Sequence, residues 1–223
     1  MKKLFTCVLA ASLMLLGTQA HAQLVAGAGY LRSTDKVKAS NSNSSSSAEA
    51  LNGFYLGASY NIPIVGVLGF APGFYLDMLF QHKDSNAGAS YLSYTGSSRY
   101  TEVDLNVPVN LTLNFKVGSN ASIFAFAGPV FQVAVMARST FNSAASILGV
   151  HISEGSSYNH LDSEKGDTNP FNIYLGGGAG VQVGDVQFMA GYDYSMLNCV
   201  NTKNFAGYDG RRGNLKVGIN FAF

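Results

Sequence analysis

The sequence predicts an all-β chain of eight antiparallel strands closed into a barrel. Three observations carry that expectation. Apolar residues recur at every second position along several long segments, a 180° repeat that belongs to strands and excludes an amphipathic helix. The links between these segments alternate strictly between short and long. Charged residues make up only 12% of the 223-residue chain, against the ~25% usual in soluble domains.

In chain order, the predicted strands are 24–32, 53–61, 72–83, 102–116, 121–137, 171–183, 186–196 and 214–223. In the second, Phe54, Leu56, Ala58 and Tyr60 share a face. In the third, Phe74, Leu76, Met78 and Phe80 oppose Tyr75, Asp77 and Gln81. The fourth alternates most cleanly, with Val103, Leu105, Val107, Val109, Leu111, Leu113 and Phe115 against Glu102, Asp104, Asn106, Pro108, Asn110, Thr112, Asn114 and Lys116. The sixth sets Phe171, Ile173, Leu175 and Val181 against Asn172, Tyr174 and Gln182, and the seventh sets Val186, Phe188, Tyr192 and Tyr194 against Gln187 and Asp193. The last, NLKVGINFAF, carries Leu215, Val217, Ile219, Phe221 and Phe223 on one side and Lys216, Gly218, Asn220 and Ala222 on the other. In the first and fifth, small and apolar residues occupy both faces, so the alternation leaves their facing open.

Gly118-Ser119-Asn120 and Gly184-Asp185 read as tight turns, and Asn61 to Gly69 as a longer apolar link. The other links, Ser33–Asn52, Asp84–Ser98, Arg138–Pro170 and Asn198–Gly213, are long and are expected as loops at one end. The tract SNSNSSSSAEA in the first of them cannot bury apolar surface and is expected to be flexible.

Residues 1–22 read as an export signal: Lys2 and Lys3, an apolar run Leu4–Leu16 too short to cross a bilayer, and the cleavage pattern Ala20-His21-Ala22. The barrel domain is then expected at 23–223, starting at Gln23. Losing both lysines leaves twelve basic and thirteen acidic residues, a formal charge of −1. That balance points away from nucleic acid. Cys199 is then the one cysteine, so no intramolecular disulfide can form.

Alternation alone does not say which face is outside. A soluble lipocalin-like barrel hides the apolar face, and a membrane barrel shows it to lipid. Few charges of both signs, small residues on the polar face and the asymmetry of link lengths favour the membrane. In lipid every backbone group needs an internal partner, so the strands must close. The expected fold is therefore an eight-stranded antiparallel transmembrane (outer-membrane) β-barrel, an up-and-down meander in the bacterial outer membrane.

The closing strand resembles the sorting signal of Gram-negative outer-membrane barrels, which end on alternating apolar residues and a C-terminal Phe. That resemblance implies an assembly signal at Leu215, Val217, Ile219, Phe221 and Phe223, read by the barrel-assembly machinery. YTEVDLNVPVNLTLNF, Tyr100 to Phe115, resembles the pattern Y-x-E-[IV]-P-[LV]-L-x-x-x of PorT-like outer-membrane β-barrel domain proteins of Bacteroidetes-type bacteria. FYLDMLFQHKDS and IFAFAGPVFQVAV fall where that family has its preceding strand and its aromatic-Gly-Pro strand, and Asp104-Leu105-Asn106-Val107 is extra between Glu102 and Pro108. Size and strand number are also similar to the small OmpA/OmpX-type barrels.

An eight-stranded barrel is just wide enough for its side chains to fill. The expected inward set is Tyr55, Tyr75, Asp77, Glu102, Asp104, Lys116, Gln132, Tyr174, Gln182, Asp193 and Lys216. Isolated buried charges are costly, so the acids Asp77, Glu102, Asp104 and Asp193 are expected to pair with Lys116 and Lys216.

No catalytic, cofactor or metal site is expected. His151, Glu154, His160 and Asp162 fit no zinc spacing. Asp162, Glu164 and Asp167 match a calcium loop only loosely, because its Gly and terminal Glu are misplaced. His82 with Ser85 or Ser90 marks no distinct nucleophile–base pair. Gly176-x-Gly178-x-Gly180 lies inside a strand with no helix after it, which leaves room for bulky lumen neighbours as its reading. Pro108 and Pro129 each delete a ladder bond and are expected at bulges or bends.

The expected function is structural or interactive: a monomeric surface barrel in contact with outer-membrane lipid, whose loops meet an extracellular ligand or host surface. A lipid-modifying barrel enzyme and a small conductance pore are the alternatives.

Overall fold

A computed structural model describes residues 22–39, 45–47, 50–89, 92–147 and 150–223. The predicted signal, apart from Ala22, lies outside the described residues. Ten strands form: β1 (Gln23–Ala39), β2 (Ser45–Ser47), β3 (Leu51–Val65), β4 (Leu68–Ala89), β5 (Leu92–Lys116), β6 (Ala121–Ile147), β7 (Val150–Asn159), β8 (Phe171–Val183), β9 (Val186–Ser195) and β10 (Tyr208–Ala222). Eight of them, β1, β3, β4, β5, β6, β8, β9 and β10, pair in that order, and β10 returns to β1, so the ring closes. All pairs are antiparallel. Closure spans Val25↔Ala222 to Ala39↔Tyr208 along β1 and β10.

Each strand sorts its side chains by the period of two. On β10, Leu215, Val217, Ile219 and Phe221 are exposed while Asn214, Gly218, Asn220 and Ala222 are buried. Phe54, Leu56, Phe74, Leu111, Val133, Leu175 and Phe188 continue the outward apolar band around the ring. The two strands whose facing alternation left open are also sorted. On β1, Val25, Leu31 and Ser33 point in and Leu24 and Tyr30 out; on β6, Phe124, Val130 and Gln132 point in and Ile123 and Phe131 out.

Three tight turns join strands at one end. Gly66 and Gly184 take the left-handed conformation there, with φ of 58° and 59°. Asn61–Gly69 is therefore mostly strand, with a register shift between Pro63 and Val65, rather than a long link. The chain end lies at this same end, where Phe223 N–H donates to Leu24 O at 2.8 Å.

At the other end, two of the expected loops are largely strand. β4 and β5 stay paired out to Ala89↔Leu92, and β6 pairs both β5 and β7 out to Ile147. Beyond the barrel these four strands continue as a sheet in the order β7-β6-β5-β4. Their outer residues are rich in Ser, Thr, Gly, Ala and Asn, so they carry no apolar alternation to announce a strand. The backbone ladder simply runs on in the register that the barrel sets. Within the serine tract, Ser45–Ser47 pair with Lys36–Lys38; 40–44 and 48–49, and with them most of the expected flexible stretch, lie outside the described residues.

Pro72 and Pro108 stand at gaps in the pairing that leave the register unchanged. Pairing between β5 and β6 skips from Pro108↔Val130 to Leu111↔Ala127 in unchanged register, and between β4 and β5 from Pro72↔Val109 to Tyr75↔Asn106. The register shift on β5 lies instead at Val103/Asp104, so of the expected bulge or bend neither Pro108 nor Pro129 shows the bulge.

Candidate functional site

The lumen holds two layers of charge. In the first, Lys216 Nζ lies 3.1 Å from Asp77 Oδ2 and 3.3 Å from Asp193 Oδ2, and 5.8 Å from the centre of the Tyr55 ring. Tyr55 occupies space left by Gly218, where a Cβ would collide with its ring.

The second layer, nearer the loop end, is organised by Arg212. Its Nε and Nη2 donate to the two Asp35 oxygens at 2.6 and 3.0 Å, and Nη1 donates to Glu102 Oε1. Tyr100 O–H donates to Glu102 Oε2 at 2.7 Å, so both Glu102 oxygens are engaged. The planar guanidinium suits this double recognition, a fork facing two carboxylates. Beside it, Tyr174 O–H donates to Gln132 Oε1 at 2.8 Å, and Gln132 Nε2 donates to Asp104 Oδ2 at 3.0 Å.

Lys116 does not join this network. It is exposed at the turn end of β5, where its long side chain reaches water. Arg212 takes the place given to it. The expectation missed Arg212 because it put residues 198–213 in a loop, whereas β10 starts at Tyr208. The signal was present: stepping back by two from Lys216 through Asn214 on the inward face arrives at Arg212.

Two bases face five acids here, and the excess is concentrated at one pair. Asp77 and Asp104 are opposite each other on β4 and β5, both fully buried. Asp104 Oδ1 and Asp77 Oδ1 have no hydrogen-bond partner. Lys216 meets Asp77 Oδ2 at ion-pair distance.

Toward the turn end the lumen is less polar. Phe126 and Phe124 lie over Gly178 and Gly180, where a Cβ would meet their rings. The glycine run thus leaves room for two stacked aromatics, 6.4 Å apart between centroids.

At the loop end the barrel opens into a cavity of about 650 Å³, whose wall includes Leu51, Tyr100, His160, Phe205 and Arg211. His160 is the focus of its polar contacts. Nδ1 lies 2.7 Å from Asp167 Oδ1 and Nε2 lies 2.7 Å from Ser139 Oγ. Tyr100 and Tyr158 pack edge-on against the imidazole, with centroids at 5.1 and 4.8 Å. Thr168 Oγ1 donates to Asp167 Oδ1 at 3.1 Å. Burial raises the affinity of the Asp167 carboxyl for its proton, but the hydrogen bond and charge of His160, with Thr168, outweigh it and hold the group below the usual carboxylate range.

Of the acids considered for calcium, Asp167 meets His160 and Asp162 serves the turn. Asp162 Oδ1 accepts from the backbone N–H groups of Glu164 and Lys165 at 2.8 and 3.1 Å, which pulls its carboxyl below the usual range. Among the described residues no three His, Cys, Asp or Glu side chains are grouped to hold a metal ion. The side chain of His151 and the whole of Ser90 lie outside the described residues. His82 faces Asp84 at 3.2 Å, both exposed, rather than a serine. Cys199 Sγ accepts from Asn172 Nδ2 at 2.9 Å, and burial pushes its thiol up, away from the reactive thiolate.

No protein-family model and no curated protein matches the chain. The PorT-like resemblance therefore rests on its motifs alone. Among solved structures, the chain is similar to Ail, the attachment invasion locus protein of Yersinia pestis, at 15% identity over 91% of this chain and 99% of that one, with a TM-score of 0.38. Ail in complex with the heparin analogue sucrose octasulfate matches at 15% identity over the same shares, with a TM-score of 0.40. Neisserial surface protein A, NspA, matches at 16% identity over 91% of this chain and 97% of that one, with a TM-score of 0.38.

Proposed function

We propose that this chain is a bacterial outer-membrane barrel with a side-chain-filled lumen, and that it acts through its loop end as a surface-interaction protein. One observation supports this most: along a single strand, β10, the outward residues Leu215, Val217, Ile219 and Phe221 are 41–51% exposed while Asn214 and Asn220 are 3% exposed. A strand with amides inside and bare aliphatic and aromatic side chains outside suits a hydrocarbon surround. A closed ring leaves no barrel edge open to another chain, which favours a monomer. The loop-end cavity, with its aromatic and cationic wall, is the natural place for an extracellular ligand. Phe223 and the row that precedes it serve, on this reading, as the strand that the assembly machinery engages.

The experiment is gel migration of detergent-extracted protein with and without boiling. A membrane barrel requires detergent and shifts in mobility when heated. Protein that stays soluble without detergent and shows one mobility overturns the reading in favour of a lipocalin-like barrel.

A further inference from the structure

We propose that Ser139, His160 and Asp167 form a serine-hydrolase triad acting on small carboxylic esters, with His160 and Asp167 on the wall of the loop-end cavity and Ser139 buried behind His160. The carboxylate of Asp167 can only accept, so His160 Nδ1 must carry the proton between them. In the neutral imidazole, Nε2 is then bare and accepts from the Ser139 hydroxyl. Both contacts are 2.7 Å, within the reach that general-base activation of a nucleophile requires. The base is doubly oriented, by Asp167 at one nitrogen and by T-shaped contacts with the rings of Tyr100 and Tyr158. These are the roles by which such triads are recognised on unrelated folds. Two strands and a turn bring them together: Ser139 on β6, His160 just after β7, and Asp167 just after the turn that Asp162 caps.

The chemistry balances with water as the co-reactant. Ser139 Oγ attacks the ester carbonyl carbon and its proton passes to His160 Nε2. The new C–O bond forms, the ester C–O bond breaks, and the leaving alcohol takes the proton from Nε2. Water then attacks the acyl-serine, giving a proton to Nε2. The carboxylic acid departs and Ser139 recovers that proton.

Two features limit the substrate. Ser139 is 6% exposed, which admits only a small acyl group. The cavity wall joins apolar Leu51, Val200 and Phe205 to polar Gln81 and Thr168, which suits a short ester of mixed polarity. Ser139 also lies in a ladder paired on both sides, with Tyr100 and Tyr158, so its strand offers no backbone oxyanion hole. Absence of one such donor costs about 10²–10³-fold in turnover, so a slow hydrolase is expected.

The site geometry does not depend on the membrane reading; only the outward opening of the cavity does. The test uses the full mature chain refolded in detergent, with the heated and unheated gel confirming the fold of each variant. Fluorophosphonate should label Ser139, and p-nitrophenyl butyrate should be hydrolysed. Ser139→Ala should lower hydrolysis by 100-fold or more, His160→Asn should abolish both labelling and turnover, and His82→Asn should leave both unchanged. Should Ser139→Ala fail to fold, labelling of the wild type and its dependence on Asp167→Asn decide. Folded wild-type protein that is unlabelled at Ser139, or hydrolysis that survives loss of Ser139 or His160, overturns the triad while leaving the barrel reading intact.

Discussion

Arg212 and Glu102 stand 110 residues apart in the chain and in direct contact inside the barrel, on strands β10 and β5. Both are buried, and Asp35 completes the fork. Removing one partner of a buried pair leaves an uncompensated charge, at a cost of ~3–5 kcal/mol. Glu102→Gln should therefore destabilise the barrel on that scale in urea unfolding from vesicles. Adding Arg212→Met, which removes the stranded cation, should recover part of the loss. A double variant no better than the single one contradicts the pairing.

The opposed acids predict the reverse sign. Asp104 faces Asp77 across the ladder and keeps one oxygen unpartnered. Like charges directly opposite are destabilising, on the ~0.2–1 kcal/mol scale of cross-strand pairs. Asp104→Asn preserves the shape and an acceptor for Gln132 Nε2, and should stabilise by up to about that amount. Loss of stability in the same unfolding assay contradicts the frustrated pair.

Val217 is 48% exposed in the middle of the outward row. Val217→Arg should cost ~2–4 kcal/mol in lipid. Its neighbour Gly218 is packed under Tyr55, so Gly218→Ala should perturb the lumen instead, moving Tyr55 fluorescence with little dependence on lipid thickness. Wild-type stability of Val217→Arg in vesicles places the facing in error.

Phe223 is 76% exposed and contributes one backbone hydrogen bond, to Leu24. Its deletion should leave refolding in detergent nearly unchanged and reduce delivery to the outer membrane in cells. Normal delivery removes the sorting role from this residue.

Asp167 predicts an acid-labile mouth. Its carboxyl is held below the usual range, so the contact contributes stability above the unfolded carboxylate pKa of ~3.9, and that stability is lost as pH falls through the lower folded value. Hydrogen exchange across 159–170 should accelerate at pH below ~4 while the barrel strands stay protected. Asp167→Asn should remove the pH step. An unchanged step assigns it to another group.

The period of two made the barrel walls legible, because one side of each wall strand is apolar and the other is not. It failed where that contrast fades. Residues 84–89, 92–98, 138–147 and 150–159 pair as strands beyond the apolar band, where the sequence is rich in Ser, Thr and Gly and the pairing is carried by backbone bonds. The same failure hid Arg212, which precedes Leu215, the first residue of the outward apolar row on β10. Lys116 has the inward parity of Glu102 but sits at the rim, and parity does not encode depth. Ser139, His160 and Asp167 were invisible as a group, since their meeting depends on where a non-periodic turn folds back. A paired β7, which ends one residue before His160, was the missing piece.

Planar-bilayer recording of purified wild-type protein tests the central claim most directly. With Arg212, Lys216 and their carboxylates bridging the lumen in two layers, the account predicts no steady open-channel current, and transient conductance at most. A stable, large conductance that changes in selectivity on Lys216→Met would contradict the sealed lumen and make the chain a pore.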